Sequence, residues 1–183
     1  MTSFPERFNM ADYFLDHNIR EGRARKVAVF YKDSTYTYLQ VQEMSNRCGN
    51  ALRELGVEIE NRVLIALPDS IEFVAAWFGI LKIGAVVTMV NVILPAADYE
   101  YYLNYTRAKV AIVHESVLPR FEEIRSNCPH LKAILAAGAS EGGNPSLDRM
   151  MARASSVLEN ADTHRDDIAM WLFTSGTTGK PKG

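Results

Sequence analysis

The chain has 183 residues, with 48% hydrophobic and 23% charged side chains and a formal net charge of -2. That is enough apolar material for a folded core and argues against a disordered chain. The near-neutral charge provides no global basic field to recruit nucleic acid or an acidic membrane surface. The two cysteines, Cys48 and Cys128, have neither metal-ligand nor disulfide-framework spacing. They read as reduced, buried, small hydrophobes.

In chain order, Asn9 is a predicted cap for a helix running through Ala11, Tyr13, Phe14 and Ile19, with Gly22 past its end. Residues 27–31 and 35–38 read as strands around an Asp33-Ser34 turn, which predicts a hairpin. From Leu39 to Leu55, Val41, Met44, Cys48, Ala51, Leu52 and Leu55 recur at helical spacing, and Gly56 closes the segment. The run from Phe73 to Leu94 is nearly all apolar and long enough to span a bilayer. Lys82 interrupts it, at a cost of about 2.5–3.5 kcal/mol in a bilayer centre. A buried helix capped by Asp69 or Ser70, a glycine stop at Gly84 and a buried strand over 85–90 account for it without a transmembrane segment.

Further along, a tyrosine-rich helix is expected over 97–106, a strand over 110–113, a helix over 117–127 and a strand over 133–136. A loop over 140–145, a helix over 147–158 and a final buried strand over 168–173 complete the pattern. Strands alternating with helices predict an α/β fold, a largely parallel sheet with helices on both faces. Such sheets bind ligands beyond the carboxyl ends of their strands.

The segment after that last strand, TSGTTGKPKG at 174–183, has the composition of a phosphate grip. Thr174, Ser175, Thr177 and Thr178 bring hydroxyl donors. Gly176 and Gly179 let backbone amides approach an anion closely. Lys180 and Lys182 bring charge, spaced by the stiff Pro181. It is not a Walker A loop, because proline replaces the Mg²⁺-binding hydroxyl after the lysine.

Residues 172–183 resemble the signature loop of the adenylate-forming superfamily of acyl-CoA synthetases, peptide-synthetase adenylation domains and luciferases. TYTYL at 35–39 with its long helix, and LKIGAVV at 81–87, resemble two earlier core segments of that family in order and spacing. Within it, FNMADYF at 8–14, VNVILPAADYEY at 90–101 and DDIAMWLF at 166–173 look most like the benzoate-CoA ligase group, with medium-chain acyl-CoA synthetases next. The resemblance implies that residues 1–183 are the incomplete N-terminal part of the large, AMP-binding domain, ending just after the phosphate-binding loop. It implies Thr174, Ser175, Gly176, Thr177, Thr178, Gly179, Lys180 and Lys182 as ATP-phosphate ligands. ATP, Mg²⁺ and coenzyme A would be co-substrates of the intact enzyme, with a small carboxylate, an aryl acid such as a benzoate, as substrate. The catalytic lysine, the substrate pocket and the metal-holding acid of the family lie beyond position 183, so no catalytic or metal residue is assigned here. The 183-residue chain alone is expected to be inactive. A non-catalytic binding or interaction remnant of the same fold remains the alternative. A cytoplasmic location is expected and a homodimer is left open.

Other residues carry weaker signals. His17, His114, His130 and His164 lack partners at catalytic or ligand spacing and read as structural. Asp166 and Asp167 read as a solvated strand start rather than a carboxylate pair. Positions 98, 101, 102 and 105 share a helix face, which with its tyrosines is read as packing surface. Trp77 and Trp171 read as core.

Overall fold

The computed structural model describes residues 4–138, 143–174, 181 and 183. A five-stranded sheet organises them. Its strands are β3 (Arg62–Ala66), β4 (Val86–Met89), β5 (Val110–His114), β6 (Ala133–Ala137) and β7 (Met170–Trp171), in the order β6-β5-β3-β4-β7. Every neighbouring pair is parallel. Strands β1 (Val27–Tyr31) and β2 (Ser34–Thr37) form a separate antiparallel hairpin with a bulge near Ala28. The expected α/β architecture is the one observed.

Side-chain alternation along the strands builds two apolar layers. Val63, Ile65, Val87, Val110 and Ile112 face α1 (Tyr38–Glu54), α2 (Ile71–Lys82) and α5 (Leu147–Arg153). Leu64, Ala66, Ala111 and Val113 face α3 (Ala96–Thr106) and α4 (Leu118–Ile124). The hairpin packs Ala28, Val29, Tyr31 and Tyr36 against Leu15, Val41 and Ile71 in a third cluster.

Local signals set most boundaries. Thr37 and Gln40 form a capping box at the start of α1, and Ser70 accepts from the Phe73 amide at the start of α2. Gly56 and Gly84, with φ of 78° and 72°, take the left-handed turn that ends each of these helices. Asn9 Oδ1 accepts from the amides of Ala11 and Asp12, as a cap should. The helix it starts carries π-helical turns at Asp12–Asp16 and Ile19–Arg23, the second of them kinked at Gly22, where φ is 76°. Two 3₁₀ turns, Glu115–Val117 and Arg125–Asn127, flank α4, the first starting two residues ahead of the expected helix.

Helices α1 and α2 cross at two glycines. A Cβ at Gly79 would lie 2.8 Å from the Ser45 carbonyl oxygen and 3.0 Å from the Gly49 nitrogen. Both obstacles are backbone and cannot rotate away. Gly79→Ala gains about 1 kcal/mol of helix propensity. It is nevertheless expected to destabilise the chain by about 1–3 kcal/mol through overpacking. A urea midpoint equal to or above wild type would contradict the close crossing.

Three expectations need correction. Helix α5 ends at Arg153 rather than near Leu158. Beyond it the carbonyls of Ala154, Ser155, Ser156, Val157 and Glu159 accept hydrogen bonds from Arg47, Asn50, Asn46 and Arg53 of α1. Those donors satisfy an extended backbone that would otherwise have to bond within a helix. Strand β7 covers only Met170–Trp171, and Ile168 and Leu172 are each 58% exposed. Among the described residues β7 pairs on one side only, with β4, so the run expected as a buried strand is half-exposed at a sheet edge. Trp77 and Trp171 are likewise half-buried rather than fully in the core.

The interruption at Lys82 is a buried ion pair. Its ammonium bonds the carboxylate of Asp16, and both are almost fully enclosed. Burial pulls the Lys82 pKa below its ordinary value, and the hydrogen bond to Asp16 opposes this. Among the described residues no helix is long and apolar enough to cross a membrane.

Candidate functional site

Because the sheet is parallel, the carboxyl ends of its strands share one edge. Leaving it are the segments that begin at Leu67, Val90, Glu115, Gly138 and, after β7, Leu172. Strand β3 is followed by β4 on one side, whereas β5 is followed by β6 on the other. Connections that diverge in this way open a crevice at the carboxyl edge.

Thr174 lies past β7 at this edge and is exposed. Ser175, Gly176, Thr177, Thr178, Gly179, Lys180 and Lys182 lie outside the described residues. What precedes and follows them is anchored on α3. The Phe173 ring meets Tyr102 and Tyr105 edge-on, with centroids 4.6 and 5.6 Å apart. The Tyr101 hydroxyl donates to the Pro181 carbonyl at 2.8 Å. Gly183 rests on the Phe173 ring, where a Cβ would come within 2.9 Å of a ring carbon.

The tyrosine helix thus divides its labour. Tyr102 is buried in the core, whereas Tyr101 and Tyr105 form a half-open aromatic face towards β7, with Tyr105 6.0 Å from Trp171. Tyr99 lies on another face, stacked on Phe121 with its hydroxyl donating to the Asn91 carbonyl. Packing surface is therefore the correct reading, and Tyr99 packs outside the face shared by 98, 101, 102 and 105.

The loop after β4 stands beside the β7 exit, since β4 and β7 are neighbours. Asn91 Oδ1 accepts from the Ile93 amide, and the Arg120 guanidinium donates to the carbonyls of Val92 and Leu94. Ile93, at the centre of this brace, is 77% exposed. Sequence reasoning did not identify this braced wall. Its one local signal was Pro95 at the start of α3, which rigidifies the turn.

On the far side of the edge, His114 Nδ1 accepts from the Ser116 amide, and the Glu115 carboxylate fills the space a Cβ on Gly138 would need. Gly138, at φ 104°, is suited to that close approach. The other titratable candidates stay outside the site. His17, His130 and His164 are exposed and His114 half-buried. Asp166 and Asp167 are exposed, and Asp167 accepts from the His164 amide in a turn before β7. Burial pushes the Cys48 thiol up to about 12 and the Cys128 thiol to about 11, so neither presents a thiolate nucleophile at neutral pH. A separate cleft, lined by Phe8, Met10, Ile59, Gly84 and Ile168, opens at the amino ends of β4 and β7, the opposite edge.

A parallel sheet with helices on both faces belongs to the open α/β class, whose ligands bind beyond the carboxyl ends of the strands, and the sequence TSGTTGKPKG follows its last strand. The chain belongs to the AMP-binding enzyme family, whose pattern matches residues 15–183. It is 38% identical over 180 residues to benzoate–CoA ligase of Thauera aromatica, covering 98% of this chain and 34% of that protein. It is 35% identical to the 4-hydroxybenzoate–CoA/benzoate–CoA ligase of Rhodopseudomonas palustris, covering 96% of this chain and 33% of that protein. Among solved structures it resembles the anthranilate CoA ligase AuaEII in complex with anthranoyl-AMP, with a TM-score of 0.92 and 39% identity over 97% of this chain and 34% of that one. The chain spans about a third of the length of these relatives.

Proposed function

We propose that this chain contributes the phosphate-binding part of an ATP-dependent carboxylate–CoA ligase acting on an aryl acid. The observation that carries the reading is the sequence at 174–183, placed after the edge strand of a parallel sheet in an AMP-binding family member. The names of the relatives, two benzoate–CoA ligases and an anthranilate CoA ligase, support an aromatic acid as substrate.

In this reading a carboxylate oxygen attacks the α-phosphorus of ATP, and the bond to the bridging oxygen breaks to release pyrophosphate. The coenzyme A thiolate then attacks the acyl carbon and AMP leaves with the carboxylate oxygen. Thr174, Ser175, Gly176, Thr177, Thr178, Gly179, Lys180 and Lys182 hold the β- and γ-phosphates. Their hydroxyls, amides and ammonium groups stabilise charge building on the departing pyrophosphate. Magnesium bound with ATP would neutralise part of the same charge. Among the described residues no group of three or more His, Cys, Asp or Glu converges on a metal position. The braced loop at 90–95 would form a wall beside the β7 exit.

The test is carboxylate-dependent ATP–pyrophosphate exchange by the natural protein, with benzoate, 2-aminobenzoate and hexanoate compared. Exchange favouring the aromatic acids is expected, and preference for hexanoate would overturn the aryl assignment. Residues 1–183 expressed alone are expected to give no exchange, because they span only about a third of the ligases they resemble.

A further inference from the structure

The loop after β4 is held at each residue from Val90 to Leu94. The Val90 amide donates to the Ile65 carbonyl, and Val90, Val92 and Leu94 pack on the apolar layer beneath α3 and α4. Tyr99 donates to the Asn91 carbonyl at 2.9 Å. Burial raises the Tyr99 pKa and the Arg120 guanidinium beside it opposes this, so the hydroxyl is a donor at neutral pH. A single nitrogen of Arg120 donates to the carbonyls of both Val92 and Leu94, at 3.3 and 2.8 Å. Asn91 Oδ1 accepts from the Ile93 amide at 3.0 Å. The Ile93 side chain alone points away, 77% exposed between two packed neighbours. It stands at the carboxyl edge, where sheets of this class bind ligands. Single exposed apolar residues are ordinary. This one differs because its amide and the carbonyls on either side are all held, so it cannot fold down onto the protein.

We propose that Arg120 is a positioning residue: it fixes the loop after β4 so that Ile93 is presented as a rigid apolar contact to a substrate. This rests on the ligase reading given above. The physical basis is pre-organisation. An apolar contact on a mobile loop must be ordered by its ligand, and that entropy weakens binding. Charge-assisted hydrogen bonds from α4 order the loop before the ligand arrives. Arg120 touches no ligand in this scheme and acts only through Ile93. The contact suits an apolar group and not a phosphate, because the one donor of Ile93 is already bonded to Asn91. Three groups of the proposed reaction have that chemistry: the aryl ring of the acid, the adenine of ATP and the aliphatic arm of coenzyme A. Because one Arg120 nitrogen makes both bonds, a lysine ammonium can replace it, whereas an apolar side chain cannot.

The test compares the natural protein with its Ile93→Ala, Arg120→Met and Arg120→Lys variants in thioester formation from benzoate, ATP and coenzyme A, with the KM measured for each. Ile93→Ala removes three carbons, and their partial burial against a ligand corresponds to about a tenfold change in affinity. One of the three KM values is therefore expected to rise about tenfold with kcat nearly unchanged, and the substrate affected identifies the group that Ile93 meets. Arg120→Met should raise the same KM, and Arg120→Lys should restore most of it. Adding Arg120→Met to Ile93→Ala should cost nothing further, since the contact is already lost. Hydrogen–deuterium exchange over 90–95 should be about tenfold faster in Arg120→Met, the low end for losing hydrogen bonds to a charged group, with β3 and β5 unchanged. Three KM values equal to wild type in Ile93→Ala would overturn the proposal, as would additive effects in the double variant. Faster exchange throughout β3 and β5 in Arg120→Met would also overturn it, as the mark of a general packing role. A wild-type protein that turns over no carboxylate would remove the ligase reading and this role together, whereas an active wild type with unaltered variants removes the role alone.

Discussion

Asp16→Ala is expected to destabilise the chain by about 3–5 kcal/mol, the range for leaving a buried charge without its partner. The Lys82 ammonium is 1% exposed and has Asp16 and Asn160 as its partners. The Asp16 carboxylate also accepts from Gln42 and Asn160, at 2.8 and 2.6 Å. Removing it leaves the buried ammonium without its carboxylate and takes an acceptor from the part-buried amides of Gln42 and Asn160. The double variant Asp16→Ala/Lys82→Met should regain a large part of the loss, because an apolar side chain of similar length needs no partner there. Urea denaturation of the three proteins measures this, and a loss below about 1 kcal/mol for Asp16→Ala would mean water reaches the pair. The neighbouring Asp12 adds a pH dependence. Hydrogen bonds from Arg20 hold its carboxyl below the ordinary carboxylate value, partly offset by burial. That contact contributes fully above the unfolded carboxylate pKa, and its contribution is lost as pH falls through the lower folded value.

Lys180→Ala is expected to lower carboxylate-dependent ATP–pyrophosphate exchange of the natural protein by about 10²–10³, the range for deleting one positioned charge-stabilising donor. The expectation follows from the proposed function. Charge develops on pyrophosphate as the α-phosphorus bond breaks, and an ammonium fixed beside it stabilises that state more than bound ATP. The loss should therefore appear mainly in kcat rather than in KM for ATP. A matching thermal midpoint would show that the fold is intact. Exchange within threefold of wild type would remove Lys180 from the phosphate grip.

Signals that lie within a few residues of each other were legible. The α2 unit is an example: Ser70 caps it, the apolar run fills it, Gly84 stops it and a strand follows. The parallel order followed from repetition of that unit. What could not be read locally depends on partners far along the chain. Lys82 reads as an interruption because Asp16 stands 66 positions away. Helix α5 stops early because side chains of α1, more than 100 positions earlier, take up the next carbonyls. An apolar run such as 168–173 signals a strand, but its composition does not say whether the strand lies inside the sheet or at its edge. At the site, the segment 174–183 stands out by its composition of hydroxyls, glycines and lysines. The Arg120 brace and the Tyr101 contact join ordinary surface residue types across 26 to 80 positions, which local reading does not connect.

The stretch after α5 is gripped almost wholly by its carbonyls, which every amino acid possesses. Asn46, Arg47, Asn50 and Arg53 therefore read a path rather than a spelling. Val157 is 80% exposed, so most side chains should be tolerated there, while Leu158 sets a limit where it fits over Gly49. The information that shapes residues 154–159 is written in a helix a hundred positions upstream. A mutational scan should find the sensitive letters there and permissive ones in the stretch itself.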